Sequence, residues 1–180
     1  MTIQAEAGDE LTRLITTRVR DVPDYPRAGV VFKDITPLLA DAKAFAAVVD
    51  ALAVTAGPVD KVAGIEARGF IFAAPVAWRR AACPSCGSAR TQRPGATFAQ
   101  DYELEYGTAT IEVLTDAFAA GERVLVIDDV LATGGTARAT ADLVQRAGAR
   151  VAGLAVLLEL SFLNGRAKVA GLPVRALLTI

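Results

Sequence analysis

The stretch Val124-Leu-Val-Ile-Asp-Asp-Val-Leu-Ala-Thr-Gly-Gly-Thr-Ala137 decides how this chain is read. Its four leading apolar residues, Val124 to Ile127, have the pattern of a strand buried on both faces by helices. Two acids follow, then a turn of glycine and threonine, then an amphipathic helix predicted from Thr136 to Ala147 and stopped by Gly148. Such a turn cradles phosphate. Successive glycines let backbone N–H groups converge without side-chain obstruction, Thr133 and Thr136 add hydroxyls, and the helix presents unpaired N–H groups and the positive end of its dipole. Adjacent carboxylates repel a bare anion, so Asp128 and Asp129 are better suited to accept hydrogen bonds from sugar hydroxyls or to sit near a metal-bound phosphate. Strand, acids and loop together imply a seat for a ribose 5-phosphate, against the plainer alternative of a solvated loop with an Asp cap.

The sequence on either side supplies the frame. Lys61 to Ile65 and Val151 to Leu158 are strand-like, Gly69 to Arg80 is helix-like, and Gly107 to Leu114 alternates polar with apolar residues. Earlier, Asp41 to Val54 is a helix with Asp41 as its N-cap, and Asp9 to Arg20 carries a helical stripe of Leu11, Leu14, Ile15 and Val19. Asp21 to Gly29 holds two prolines and is expected to be irregular, leading into a short extended run at Val30 to Phe32. Helices alternating with apolar strands predict an α/β fold, a mostly parallel twisted sheet flanked by helices, with ligands at the carboxyl ends of its strands. No internal repeat or linker divides the chain, so residues 1–180 are read as one domain.

Composition narrows the chemistry. With 180 residues, 53% of them hydrophobic, and a mean hydropathy of +0.38, the chain can bury a substantial core, which excludes disorder and fibre. Its longest apolar run is far short of a bilayer span, and its first residues lack the pattern of a signal peptide; the expectation is a cytoplasmic protein. Nineteen basic and 20 acidic residues leave a net charge of −1, so no overall field recruits nucleic acid or a membrane surface. The absence of histidine removes imidazole catalysis, Ser-His-Asp triads and His-based metal sites, leaving proton transfer to Asp, Glu, Lys or Tyr. Cys83 and Cys86 form a single Cys-x-x-Cys without the further ligands a tetrahedral zinc needs. Pro84 within the pair and Gly87 beside it point to two loop thiols rather than a redox motif.

The phosphate turn resembles the phosphoribosyl-diphosphate loop of the type I phosphoribosyltransferases. Three further stretches, Asp21 to Leu39, Gly64-Ile-Glu-Ala-Arg-Gly-Phe70 and Tyr102-Glu-Leu-Glu-Tyr-Gly107, resemble the adenine phosphoribosyltransferase branch in order and spacing. The resemblance runs from about Arg20 onward with one gap. It implies transfer of a phosphoribosyl group from 5-phosphoribosyl diphosphate to adenine, yielding AMP and diphosphate, with Mg2+ carried on the diphosphate and no metal held by protein ligands alone. It also implies a homodimer and an N-terminal hood, to about residue 35, covering the base.

By the same resemblance, Asp128 and Asp129 hold the ribose hydroxyls, while Ala132, Thr133, Gly134, Gly135 and Thr136 hold the 5-phosphate. Arg68 contacts the diphosphate; a guanidinium suits an oxygen-rich leaving group, although a surface ion pair, with Glu66 as partner, is the plainer reading. Val31, Phe32 and Lys33 correspond to the purine-covering segment, where Phe32 can stack on a flat base, and the bare pattern equally fits a buried edge strand. Glu105 resembles the acid that exchanges a proton with the purine. Glu103, two residues away, would face the same side of an extended segment, and only the resemblance chooses between them.

One segment departs from the family. Ala81 to Arg93 stands where the family has an apolar strand and an Arg/Lys-containing loop, leaving Arg90 and Arg93 as its only cations. In a GC-rich gene, one set of codons for Cys-Pro-Ser-Cys-Gly-Ser read in the neighbouring frame gives Val-Pro-Val-Leu-Arg-Lys, closer to the family pattern, which points to a local frameshift. Two other functions fit the phosphate turn alone: a regulatory module that binds phosphoribosyl diphosphate without transferring it, and a transferase for a 6-oxopurine. The first often acts on nucleic acid and would want a basic face, which dispersed Lys and Arg do not make. The second turns on main-chain geometry at the purine edge.

Overall fold

The computed structural model describes residues 2–54, 57–86, 95–103 and 108–180, with side chains for 9–54, 57–82, 95–102 and 108–180. Two compact units divide the chain, residues 1–50 and 51–180.

The first unit opens with helix α1 (Thr2–Thr16), which starts earlier than the apolar stripe predicts and gives way to strand β1 (Arg20–Pro23). β1 pairs antiparallel with β2 (Val31–Asp34), Arg20 opposite Asp34 and Pro23 opposite Val31. The proline-rich stretch is therefore a hairpin, only partly irregular. Proline is tolerated because a two-stranded ribbon consists of edges alone. Its turn is closed by the Gly29 N–H donating to Asp24 Oδ1 at 2.8 Å, and the Tyr25–Pro26 peptide is cis. A short helix α2 (Thr36–Ala40), with Pro37 in its first turn, leads to α3 (Ala42–Ala53). Asp41 caps α3 as its sequence position predicts: Oδ1 accepts the Lys43 and Ala44 N–H groups, both at 3.0 Å. Arg18 Nε donates to the other carboxylate oxygen at 2.7 Å.

The second unit is built on a five-stranded parallel sheet of β3 (Lys61–Gly64), β4 (Cys83–Cys86), β7 (Arg123–Leu131), β8 (Arg150–Glu159) and β9 (Val174–Thr179), in the order β4-β3-β7-β8-β9. Helix α4 (Arg68–Arg79) links β3 to β4, and α5 (Gly135–Arg146) links β7 to β8. A 3-10 turn (Ser161–Leu163) and the short helix α6 (Gly165–Lys168) connect β8 to β9. Successive positions of β7 face opposite layers: Val124 and Val126 join the cluster under α5 with Leu143 and Val144, and Leu125 and Ile127 are buried on the other face.

The alternating run that ends at Leu114 is a strand, as expected: β6 (Thr108–Leu114) pairs antiparallel with β5 (Thr97–Glu103) as a ribbon separate from the parallel sheet. Its alternating pattern marks one covered face, as a ribbon needs, where sheet strands covered on both faces read as unbroken apolar runs. The Cys-x-x-Cys lies on a strand, not in a loop. β4 is the sheet's edge, where a proline's missing N–H is tolerated, and it pairs with β3 from Cys83 opposite Lys61 to Cys86 opposite Gly64.

Candidate active site

Numbered by appearance in the chain, the sheet order is 2-1-3-4-5, so the connections leave β3 and β7 on opposite sides and open a crevice beyond their carboxyl ends. The sequence places its chemistry at these two ends. After β3 come Ile65, Glu66, Ala67 and Arg68, with a cis peptide between Glu66 and Ala67. β7 runs on to Leu131, so Asp128 and Asp129 belong to the strand's last turns of pleat, and the loop begins only at Ala132.

Helix α4 comes close to β7 because its second residue is glycine. A Cβ on Gly69 would stand 2.6 Å from the Ile127 carbonyl oxygen and 3.1 Å from Asp128 Oδ1. This approach sets Arg68 across the crevice from the acids: its Nη2 lies 2.8 Å from Asp129 Oδ2, an ion pair out of line for a hydrogen bond. Asp129 is buried at 5% exposure, and Asp128 Oδ1 accepts the Asp129 N–H at 2.9 Å. Burial, and next the neighbouring Asp129 charge, push the Asp128 carboxyl well above the ordinary carboxylate range. Burial also raises Asp129, with Arg68 pulling the other way.

Beyond the acids, a pocket of about 60 Å³ is lined by Asp128, Leu131, Ala132, Thr133, Gly134 and Thr136, among others. Gly134, at φ +80°, is the N-cap of α5 and offers no side-chain cap, so the first-turn N–H groups of the helix have no partner within it. A side chain at Gly134 is barred from behind as well, by the backbone of Gly165.

The structure thus brings together Arg68, Asp128, Asp129 and Ala132 to Thr136. Val31, Phe32 and Lys33 lie on β2 in the first unit. Val31 is exposed, Phe32 meets Tyr25 edge-on with ring centroids 5.2 Å apart, and Lys33 Nζ pairs with Asp21 Oδ1 at 2.7 Å. Glu105, Arg90 and Arg93 lie outside the described residues, and Glu103 ends the β5–β6 ladder opposite Thr108. Sequence reading passed over Gly69 and Gly165. A glycine at a helix start was a visible signal for the first, whereas the second acts through a contact that no local pattern announces.

This crevice, with its uncapped helix N-terminus and paired acids, lies in a phosphoribosyltransferase, for the chain belongs to that family: the one described as "Phosphoribosyl transferase domain" matches residues 32–169. Within that family it belongs to the adenine phosphoribosyltransferases. It is 58% identical to "Adenine phosphoribosyltransferase" of Streptomyces coelicolor over 94% of this chain and 97% of that one. Among solved structures it is similar to the adenine phosphoribosyltransferase of Thermoanaerobacter pseudethanolicus, at TM-score 0.91 and 42% identity, covering 94% of this chain and 99% of that one. It is also similar to the Saccharomyces cerevisiae enzyme complexed with an imino-altritol bisphosphate and adenine, at TM-score 0.87 and 30% identity, covering 96% and 99%. Neither the regulatory-module nor the 6-oxopurine reading gains support from these relatives.

Proposed function

We infer that the chain joins adenine to 5-phosphoribosyl diphosphate, forming AMP and diphosphate. The observation that carries this reading is the convergence, on one switch point, of an uncapped helix N-terminus, two carboxylates and a guanidinium. The loop from Ala132 to Thr136 takes the 5-phosphate through backbone N–H groups and hydroxyls, and Asp128 and Asp129 accept hydrogen bonds from the ribose hydroxyls. Arg68 turns from Asp129 to the diphosphate. The lone pair of purine N9 forms the new bond to C1′ as the C1′–O bond breaks with its electrons going to diphosphate, through an oxocarbenium-like state. The N9 proton passes to Glu105, and Val31, Phe32 and Lys33 cover the base.

Mg2+ belongs to this proposal as part of the diphosphate substrate. Such an ion would be held chiefly by phosphate oxygens and water, with Asp128 and Asp129 as the nearby carboxylates. When bound, it neutralises charge on the departing diphosphate. A homodimer is part of the same reading. The outer face of α4 carries Ile71, Ala74, Pro75 and Trp78 at helical spacing, with Trp78 77% exposed, an apolar stripe suited to a second copy. A cytoplasmic setting follows from substrates whose charged phosphates do not cross a bilayer. No helix among the described residues is long and apolar enough to span one.

The test is a panel of adenine, hypoxanthine, guanine and orotate with phosphoribosyl diphosphate and Mg2+, following diphosphate release. Release with adenine alone is the expected result. Preference for a 6-oxopurine, or no release with any base, overturns the assignment.

A further inference from the structure

The phosphate loop does not stand alone. Behind it runs the connection between β8 and β9, main chain against main chain. A Cβ on Gly165 would collide with the Ala132 carbonyl and stand 2.9 Å from the Gly134 nitrogen; a Cβ on Gly134 would collide with the Gly165 carbonyl and stand 3.2 Å from its Cα. The Leu160 N–H donates to Leu131 O at 3.0 Å where the two segments begin to converge. The connection is itself tied down. Arg166 forks onto the buried Glu159, with Nε at 2.8 Å from Oε1 and Nη2 on Oε2, and its Nη1 donates to Val174 O at 3.1 Å. Ile180 O accepts the Ser161 N–H at 2.9 Å and its hydroxyl at 2.8 Å, and the Ile180 N–H donates to Glu159 O at 2.9 Å.

We propose that residues 160–168 are a rigid backing for the phosphate loop, with Gly165 as a positioning residue for the 5-phosphate donors and the Glu159–Arg166 fork as its anchor. The proposal rests on the assignment of that loop to the 5-phosphate. Its physical basis is that anion-binding N–H groups are useful only when held near their bonding positions before the ligand arrives, and a glycine-rich loop has no side chains of its own to hold them. Contact with a second backbone supplies the restraint, and only glycine on both sides permits it.

The test is calorimetry with ribose 5-phosphate on the parent and on three variants, alongside thermal melts. Gly165→Ala is expected to weaken ribose 5-phosphate by about 10- to 100-fold, the scale of an ångström's misplacement in a bound site, and to raise KM for phosphoribosyl diphosphate more than KM for adenine. Val169→Ala, a core truncation in the same connection, is expected to lower the melting temperature and leave ribose 5-phosphate affinity unchanged. Should Gly165→Ala not fold, Arg166→Gln carries the test, with a several-fold loss that Arg166→Lys partly restores. Equal affinity in the folded Gly165→Ala or, failing that, Arg166→Gln protein overturns the proposal, as does an equal loss in Val169→Ala. A parent that does not bind ribose 5-phosphate overturns the loop assignment itself, and the backing role with it.

Discussion

Arg68 and Asp129 face each other across the crevice at 2.8 Å, so the cation assigned to diphosphate and a carboxylate assigned to ribose neutralise one another. One substitution should therefore move two ligands in opposite directions. Asp129→Asn removes a charged acceptor for a ribose hydroxyl, a hydrogen bond of about 1.5–3 kcal/mol, and AMP affinity should fall about 10- to 150-fold. The same change removes the carboxylate charge facing Arg68, so inorganic diphosphate should bind as well as before or better. Calorimetry with each ligand decides. Parallel losses for both would mean that the pair only shapes the crevice.

Asp128 gives the site a signature in stability. A carboxyl raised on folding keeps its proton more tightly in the native state than in the unfolded chain. Its contribution is full below the unfolded value of about 3.9 and is lost as pH rises through the native one. Asp34, Asp41, Asp60 and Glu159 are lowered by their hydrogen bonds and Arg partners and act with the opposite sign, so the parent's total curve mixes both. The difference between parent and Asp128→Asn isolates the one group. The variant's advantage in melting temperature should grow as pH rises above about 4, with weaker AMP binding throughout. A difference flat with pH would place Asp128 at an ordinary carboxylate value.

What was legible in the sequence had a local cause. The apolar run at Val124 to Ile127, the Asp41 cap and the glycine-threonine turn each state their structure within a few residues, and together they give the parallel sheet and the anion loop. Asp128 and Asp129 were legible as chemistry but not as strand, because nothing in Asp-Asp marks where pairing with β8 stops; Val130 and Leu131 are still opposite Leu158 and Glu159. β4 was illegible for the converse reason. Cys-Pro-Ser-Cys has turn chemistry, and what makes it extended is the waiting edge of β3, a tertiary partner. Gly134 reads as space for phosphate, yet its φ and the Gly165 backbone already forbid a side chain there.

The edge strand bears on the thiols. The pair lies on a strand rather than in a metal-binding turn, and the His-free chain offers it no obvious further ligands for a tetrahedral zinc. Cys83→Ser with Cys86→Ser should leave diphosphate release and the melting temperature within the spread of the parent measured in reductant. Metal analysis of the purified protein should find zinc well below one per chain. Stoichiometric zinc that disappears in the double variant would show the pair to be ligands.

The proton acceptor is the remaining assignment. Glu103 is the last residue of β5 in register, opposite Thr108, and Glu105 lies outside the described residues, so the choice between them rests on the family resemblance. A carboxylate that takes the purine proton contributes typically about 10²- to 10⁴-fold to rate, or roughly 3–5 kcal/mol of barrier. Glu105→Gln keeps the shape and removes the titrating group. Turnover should fall by about that factor while phosphoribosyl diphosphate binds near its parent strength, because the loss lies in the transition state alone. Glu103→Gln should lose far less. The opposite ranking would move the role to Glu103, and small equal losses would mean that charge stabilisation by Arg68 and the metal-bound diphosphate carries the reaction without a carboxylate base.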